Sequence, residues 1–160
     1  MAARGSKSKK RSDANSKKLH EKLVFFIDRA LGNIVVAEAL RSEGAEVHIH
    51  TDHFTPGAKD EDWLPKVGTL KWMILTKDSK IRYHTMEREA LMNARARAFI
   101  LVSGNLTGSE MAAIFVKSIP AIRRFIKRHS SPFIAKVHRD GTVKLWYPSK
   151  RQNNKPSYKD

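Results

Sequence analysis

The sequence contains no cysteine, and acidic residues are scarce, with 16 Asp and Glu against 31 Lys and Arg. Without cysteine the chain forms neither disulfides nor thiolate zinc sites, so any metal would be held by His, Asp, Glu or backbone oxygen. No apolar run approaches the roughly 20 residues that span a bilayer. The Lys-rich first residues also lack the apolar stretch of a signal peptide. We therefore expect a cytoplasmic protein with no membrane partner.

The net charge of +15 is unevenly distributed along the 160 residues. Residues 1–20 carry seven basic residues and one acid, and residues 148–160 carry four and one. Both segments are polar and nearly free of apolar residues, a composition typical of disorder. We expect a disordered basic tail at 1–20, one domain at 21–147 and a disordered polar tail at 148–160. Such charge favours a polyanionic partner such as RNA, with a solubilising role as the alternative.

Short apolar runs alternate with amphipathic segments within the domain, which predicts buried strands alternating with helices. The predicted strands lie at 23–27, 46–50, 72–76 and 98–102. The predicted helices lie at 34–40, 60–71, 86–94 and 109–129. Pro120 would kink or break the last helix. A hairpin at 133–137 and 142–147, joined by Arg139-Asp140-Gly141, closes the domain.

This alternation predicts an α/β fold with three layers, α/β/α, a mostly parallel central sheet and a C-terminal β-hairpin. The polar alternation of the second strand favours an edge position, so the simplest order of the first four strands is 2-1-3-4. In that order the chain reverses direction between strands one and three. Ligands bind at such a switch point, beyond the carboxyl ends of the strands.

Carboxylates stand at this expected crevice. Asp28 ends the first strand and Asp78 follows the third. Acids also open the second helix, at Asp60, Glu61 and Asp62. Clustered carboxylates repel one another unless protons or a cation neutralise them, and a hard ion such as Mg²⁺ prefers oxygen ligands. Taken singly, each acid also has a structural interpretation as a helix cap, a dipole partner or a turn residue.

Several stretches resemble the PIN-like domain superfamily, in particular the branch related to VapC-type toxins. They are FFID at 25–28, DEDWL at 60–64 and ILTKD at 74–78. The stretch RAFILVSGNLTGSEM at 97–111 is similar to the same branch. The resemblance runs from about residue 23 to about residue 129 and implies that the domain at 21–147 is PIN-like.

The resemblance implies a metal-dependent endoribonuclease that holds Mg²⁺ or Mn²⁺ with clustered acids, often as the toxin of a toxin-antitoxin pair. Carried over by position, Asp28 matches the first family acid, Asp60 the acid that opens the helix and Asp78 the third. Asp62 is the alternative for the helical acid. The metal would orient and activate a water for in-line attack on a phosphodiester.

One position departs from the family pattern. Related sequences commonly place another acid two residues after the third, where this chain has Lys80. Either Asp52 or Asn105 completes the metal shell, or the nuclease activity is lost or altered. A degenerate PIN-like module that binds RNA without catalysis is therefore the main alternative.

The expected partners are an RNA substrate and a cognate antitoxin protein, with a homodimer left open. Lys77, Lys80 and Arg82 follow the third strand and would clamp phosphates of the RNA, or form a solvated loop. A second basic cluster lies near the end of the last helix, where it would track RNA, meet an acidic antitoxin or face solvent. Its members are Arg123, Arg124, Lys127 and Arg128.

The stretch VHIHTDHF at 47–54 contains H-x-H-x-D-H, the zinc-binding motif of metallo-β-lactamases. That fold is a β-sandwich with several strands ahead of its motif, whereas only one strand and one helix precede this one. We therefore predict that His48 and His50 lie on one face of an edge strand, and we disfavour a zinc hydrolase that uses His48, His50 and His53.

A noncatalytic receiver domain is a further alternative. As in response regulators, an acid and a serine follow predicted strands, at Asp78 and Ser103, and a lysine lies in a strand, at Lys136. The paired acids that this family has at strand one are absent. Labelling of Asp78 by acetyl phosphate would distinguish a receiver domain from a nuclease.

Overall fold

The computed structural model describes residues 21–32, 34–77, 84–102 and 104–148, so both predicted tails fall outside it except for Pro148. The strands are β1 (Val24–Ile27), β2 (Glu46–Ile49), β3 (Met73–Thr76), β4 (Arg97–Leu101), β5 (Phe133–Val137) and β6 (Val143–Tyr147). The helices are α1 (Val35–Ser42), α2 (His50–His53), α3 (Asp60–Thr69), α4 (Thr85–Asn93) and α5 (Gly108–Arg128), with a 3-10 helix at Arg29–Leu31. None of these described helices has the length and apolarity of a membrane span.

The strands form one sheet in the order β2-β1-β3-β4-β5-β6. Strands β1 to β5 are all parallel to one another, and β6 pairs antiparallel with β5. The predicted order 2-1-3-4 and the C-terminal hairpin are therefore confirmed. The strand boundaries match the predicted apolar runs to within a residue or so.

The core lies on both faces of the sheet because successive strand residues point to opposite sides. Phe25 and Ile27 pack with buried residues of α1 and α5, and Phe26 packs with those of α3 and α4. All three side chains are almost completely buried. The result is the predicted three-layer α/β/α fold with a mostly parallel sheet.

The structure contradicts two expectations about local structure, the shared strand face of His48 and His50 and a break at Pro120. Strand β2 ends at Ile49, and His50 begins the short helix α2, so His48 and His50 do not share a strand face. Alternating polarity continues through His50 in the sequence, but aromatic side chains of the core enclose this imidazole and the backbone turns. Pro120 does not break α5, which is helical from Gly108 to Arg128. The long apolar face of α5 outweighs the local cost of a proline.

The ends of the helices are set by side chains near them. Thr107 caps α5, with its Oγ1 accepting the Glu110 N–H at 3.1 Å, while the Glu110 carboxylate accepts the Thr107 N–H at 3.0 Å. Helix α3 has Lys59 at its N-cap, so Asp60 is the first helical residue rather than the cap. This shift leaves the Asp60 carboxylate available for contacts in the site described below.

Candidate active site

The carboxyl ends of β1 and β3 border a cavity of about 450 Å³. The 3-10 helix after β1, the start of α3 and the first turn of α4 complete its walls. Three carboxylic acids from these separate elements line it, namely Asp28, Asp60 and Glu87. The cavity lies at the switch point of the sheet, where β1 has β2 on one side and β3 on the other.

Asp28 is held at the end of β1 by hydrogen bonds to both backbone and side chain. Its N–H donates to the Leu75 carbonyl at 3.1 Å and so continues the β1–β3 ladder. Its Oδ1 accepts the Arg29 N–H at 2.8 Å, and its Oδ2 accepts the Thr76 hydroxyl at 2.9 Å. An ionised carboxylate has about four acceptor positions, so these two bonds orient the group without exhausting it.

Asp60 is tied to the core through an aromatic side chain. The Trp63 Nε1–H donates to Asp60 Oδ1 at 3.2 Å, one helical turn along α3. The Trp63 ring is buried and lies 5.2 Å from the Phe26 ring in β1. The carboxylate itself stays exposed. A strand of the sheet therefore positions Asp28 directly and Asp60 through Trp63.

Two lining residues were not among the sequence predictions. Glu87 lies in the first turn of α4 and is partly buried. Arg29 directly follows Asp28, and its guanidinium donates to the Pro56 carbonyl. Arg29 is the one cation among the described residues that line the cavity. The position of Glu87 in the first turn of a predicted helix could have marked it as a candidate site residue. The direction in which its side chain points, however, depends on how α4 packs against α3.

His50 lies next to this cavity and is completely buried. Its ring packs among Trp63, Phe54 and Phe26, with centroids 5.6, 5.6 and 5.9 Å away. Neither ring nitrogen has a hydrogen-bond partner among the described residues. Burial lowers the pKa of His50 below its ordinary value of 6.5. The charge of Arg29 acts in the same direction, while Asp28 and Asp60 oppose it.

The other two histidines of the zinc-like motif form a separate cluster on the edge strand. His48 Nδ1 lies 3.0 Å from His53 Nε2, and His48 Nε2 lies 2.9 Å from Glu46 Oε2. The His48 ring stacks on Trp72 at 3.8 Å. Since His50 contacts neither partner ring, the three histidines do not converge. The mostly parallel sheet also differs from the β-sandwich of zinc hydrolases, so the motif is not a zinc-hydrolase site here.

The remaining predicted site residues lie elsewhere. Asp62 Oδ2 accepts the Lys59 N–H at 3.3 Å, which places this carboxylate at the start of α3. Asp52, Asn105 and Lys77 are exposed and are not among the described residues lining the cavity. The last three, Asp78, Lys80 and Arg82, lie outside the described residues.

The donors at the cavity fit a hard divalent cation in type. Carboxylate oxygens are the ligands that Mg²⁺ and Mn²⁺ prefer, and Asp28 retains acceptor positions after its two hydrogen bonds. Within the described part of the chain, no three His, Asp or Glu side chains are grouped closely enough to hold an ion. Asp78, the predicted third ligand, is not in that part.

Comparison with known proteins gives two matches. A family model described as a PIN-like domain matches residues 23–103. The chain is 28% identical over 124 residues to a Mycobacterium tuberculosis protein named "Putative ribonuclease VapC45", across 75% of this chain and 89% of that one. No solved structure gives a significant match. The resemblance predicted from the motifs is confirmed, and the matched span contains Asp28, Asp60 and Asp78.

Proposed function

The chain belongs to the PIN-like domain family, and on that premise we propose that it is a metal-dependent endoribonuclease acting as the toxin of a toxin-antitoxin pair. Its substrate would be RNA, hydrolysed at phosphodiester bonds in the cavity beside Asp28. The observation that carries this proposal is the position of Asp28 and Asp60. These carboxylates come from different elements and line one cavity at the switch point of the sheet.

The chain's own residues orient the carboxylates. Thr76 is 2% exposed, so its hydroxyl is fixed by packing and holds Asp28 Oδ2 in one direction. The Arg29 N–H holds the other oxygen. Trp63 does the same for Asp60 from the opposite wall. Catalytic groups that are held in place before the substrate binds do not have to reorient during the reaction. This preorganisation lowers the activation free energy.

Mg²⁺ or Mn²⁺ would be held by Asp28, Asp60 and Asp78, with Asp62, Asp52 or Asn105 as additional shell residues. When bound, the ion supplies charge neutralisation at the phosphate and activates water as the nucleophile. Glu87 adds a carboxyl group on the α4 side of the cavity. We propose that Glu87 accepts a proton from water or joins the ligand set.

RNA binding at this cavity would use the cations around it. Arg29 lines the cavity, and only one of its five N–H donors is needed for Pro56. Lys77, Lys80 and Arg82 would contact flanking phosphates. The VapC-type relative supports a toxin role and a cognate antitoxin as protein partner. We propose that the protein acts on RNA in the cytoplasm.

The test is cleavage of a panel of single-stranded RNAs by the full chain with Mg²⁺ or Mn²⁺, compared with Asp28→Asn, Asp60→Asn and Asp78→Asn. Each Asn variant removes a charge and keeps the size of the side chain. We expect each to lower cleavage by more than the roughly 10- to 100-fold loss typical of outer-shell residues. EDTA should abolish wild-type cleavage.

The matched control is Glu43→Gln, which removes one exposed carboxylate after α1. It should cleave like wild type. No cleavage by the wild-type protein on any RNA, or undiminished cleavage by the Asp28 variant, would refute the proposal. Growth arrest on expression in bacteria, relieved by Asp28→Asn, would support the toxin role.

A second candidate function is RNA binding without catalysis. It is favoured by Lys80, which stands where the family commonly has an acid. This candidate predicts that wild type and Asp28→Asn bind RNA equally and that neither cleaves it with any divalent ion.

A further inference from the structure

A second concave surface lies at the free edge of the sheet, away from the active-site cavity. Helix α5 and strand β6 enclose it with a volume of about 520 Å³, and we call it the α5–β6 groove. Strand β6 is the last in the sheet order, and β3, β4 and β5 separate it from β1. At about 4.8 Å per strand, the groove lies roughly 19 Å across the sheet from Asp28.

The walls of the groove carry positive charge from two elements. Arg124 and Arg128 line it from α5, and Lys144 lines it from β6. None of the described lining residues is acidic. No ion pair joins these three cations to an acid within the described ranges.

When no anion is bound, the positive charges of the groove repel one another, and this repulsion destabilises the folded protein. Arg124 and Arg128 are four residues apart on one helix, where like charges repel. The helix dipole favours a cation in the last turn, which accounts for Arg128 but not for Arg124 or for Lys144 across the groove. An anion between the walls would relieve the repulsion from both sides.

The lining of the groove also includes apolar and aromatic residues, which are Phe125, Leu145 and Trp146. The His129 ring stacks on Phe125 at 4.1 Å. Guanidinium groups bind phosphate through paired N–H donors. Unpaired bases pack on aromatic and apolar side chains. The cations of the groove therefore match the phosphates of single-stranded RNA, and the partly exposed Leu145 and Trp146 add apolar surface beside them.

We propose that the α5–β6 groove binds single-stranded RNA through its phosphates, as an anchoring site separate from the active-site cavity. The idea that this RNA is the enzyme's substrate rests on the proposed function. The chain's own C-terminal segment does not fit as the occupant, because residues 148–160 are themselves basic. A second copy of the chain would bring the same positive groove.

The experiment measures binding of a fluorescein-labelled, mixed-sequence single-stranded RNA of about 15 nucleotides to the full chain by anisotropy. All proteins carry Asp28→Asn, so that RNA is not cut. The groove variant is Arg124→Gln, Arg128→Gln, Lys144→Gln. The matched control is Lys66→Gln, Lys117→Gln, Arg139→Gln, which removes the same charge from exposed positions outside the groove. A third protein, Arg124→Lys, Arg128→Lys, keeps the charge.

We expect the groove variant to bind RNA at least about ten-fold more weakly near 0.1 M salt, with the slope of log affinity against log salt reduced by about two. The control and the Lys variant should stay within about three-fold of the parent. Thermal denaturation will confirm that each variant is folded. Equal losses in the groove and control variants would overturn the proposal, as would RNA affinity that is unchanged in the groove variant.

A polyglutamate peptide is the competing probe. Groove-dependent binding of this peptide without groove-dependent binding of RNA would assign the surface to an acidic protein and refute the RNA assignment. Because these measurements need no cleavage, they are independent of whether the active site is catalytic. Groove-dependent RNA binding by a protein without nuclease activity would uphold this inference while the proposed function fails.

Discussion

The hydroxyl of Thr76 donates a 2.9 Å hydrogen bond to Oδ2 of Asp28, joining residues 48 positions apart in the sequence. This bond links the last residue of β3 to the acid that follows β1. It makes Thr76 a positioning residue for the carboxylate that we expect to matter most in the reaction.

Thr76→Val keeps the shape of the side chain and removes this hydrogen bond. A hydrogen bond to a charged group contributes about 1.5–3 kcal/mol, so we expect kcat/KM for RNA to fall by about ten-fold or more. Thr76→Ser keeps the hydroxyl and should retain most activity. A Val variant as active as the Ser variant would show that the bond has no positioning role.

Glu87 is the acid of the cavity that was not predicted from the sequence, and its role can be tested by substitution. Because its carboxyl group lines the same cavity as Asp28 and Asp60, we expect Glu87→Gln to lower RNA cleavage by about ten-fold or more, in line with outer-shell effects. Glu89→Gln is the control, since Glu89 is exposed two positions further along α4. Equal activity of the two variants would remove Glu87 from the site.

The buried His50 should make stability depend on pH. Burial holds its pKa below the ordinary value of 6.5 in the folded state. Between this lowered pKa and about 6.5 the unfolded chain therefore takes up more protons than the folded protein, and the free energy of unfolding falls as the pH falls through this window. The slope from this one group is at most about 1.4 kcal/mol per pH unit.

Urea denaturation between pH 7.5 and 5 checks this dependence. The His50→Leu variant should lose that part of the slope, so that its stability relative to wild type rises as the pH falls. His84→Gln replaces an exposed histidine as a control. Parallel curves for wild type and His50→Leu would contradict the prediction.

Two basic residues that follow helices have the left-handed backbone conformation that favours glycine. Lys71 has φ 60° after α3, and Arg95 has φ 56° after α4. The backbone N–H of each residue closes the last turn of its helix. The Lys71 N–H donates to the Gly68 carbonyl, and the Arg95 N–H donates to the Met92 carbonyl. We expect Lys71→Gly and Arg95→Gly each to raise the free energy of unfolding by roughly 0.5–1 kcal/mol.

Chemical denaturation of the single variants measures this effect. Lys71→Ala removes the same charge without relieving the backbone, so it should show no such gain. A glycine variant less stable than the alanine variant would mean that backbone strain is not the controlling factor.

Much of the fold followed from the sequence because β1, β3 and β4 are apolar runs with few competing interpretations. Burial on both faces requires such runs, and the helices between them require parallel crossovers. The meeting of Asp28 and Asp60 at one cavity followed from the strand order. Their role as metal ligands remains a prediction, as does that of Asp78, because neither the geometry nor the comparisons test it.

The features that sequence patterns missed depend on three-dimensional packing. Glu87 faces the cavity because of the rotation of α4 about its axis. His50 is enclosed by Phe26 of β1, Trp63 of α3 and Phe54, which follows α2. Local periodicity carries no information about such contacts, which is also why β2 was expected to include His50.

The N–H of Asp28 is bonded to the Leu75 carbonyl as part of the β1–β3 ladder. Its amide hydrogen should therefore exchange with solvent only through openings that disrupt the centre of the sheet. Moving the Asp28 backbone would require the same disruption, so a partner protein cannot shift this part of the chain while the sheet stays intact. We expect any protein that inhibits the proposed activity to act by occluding the entrance to the cavity, with the Asp28 backbone left in place.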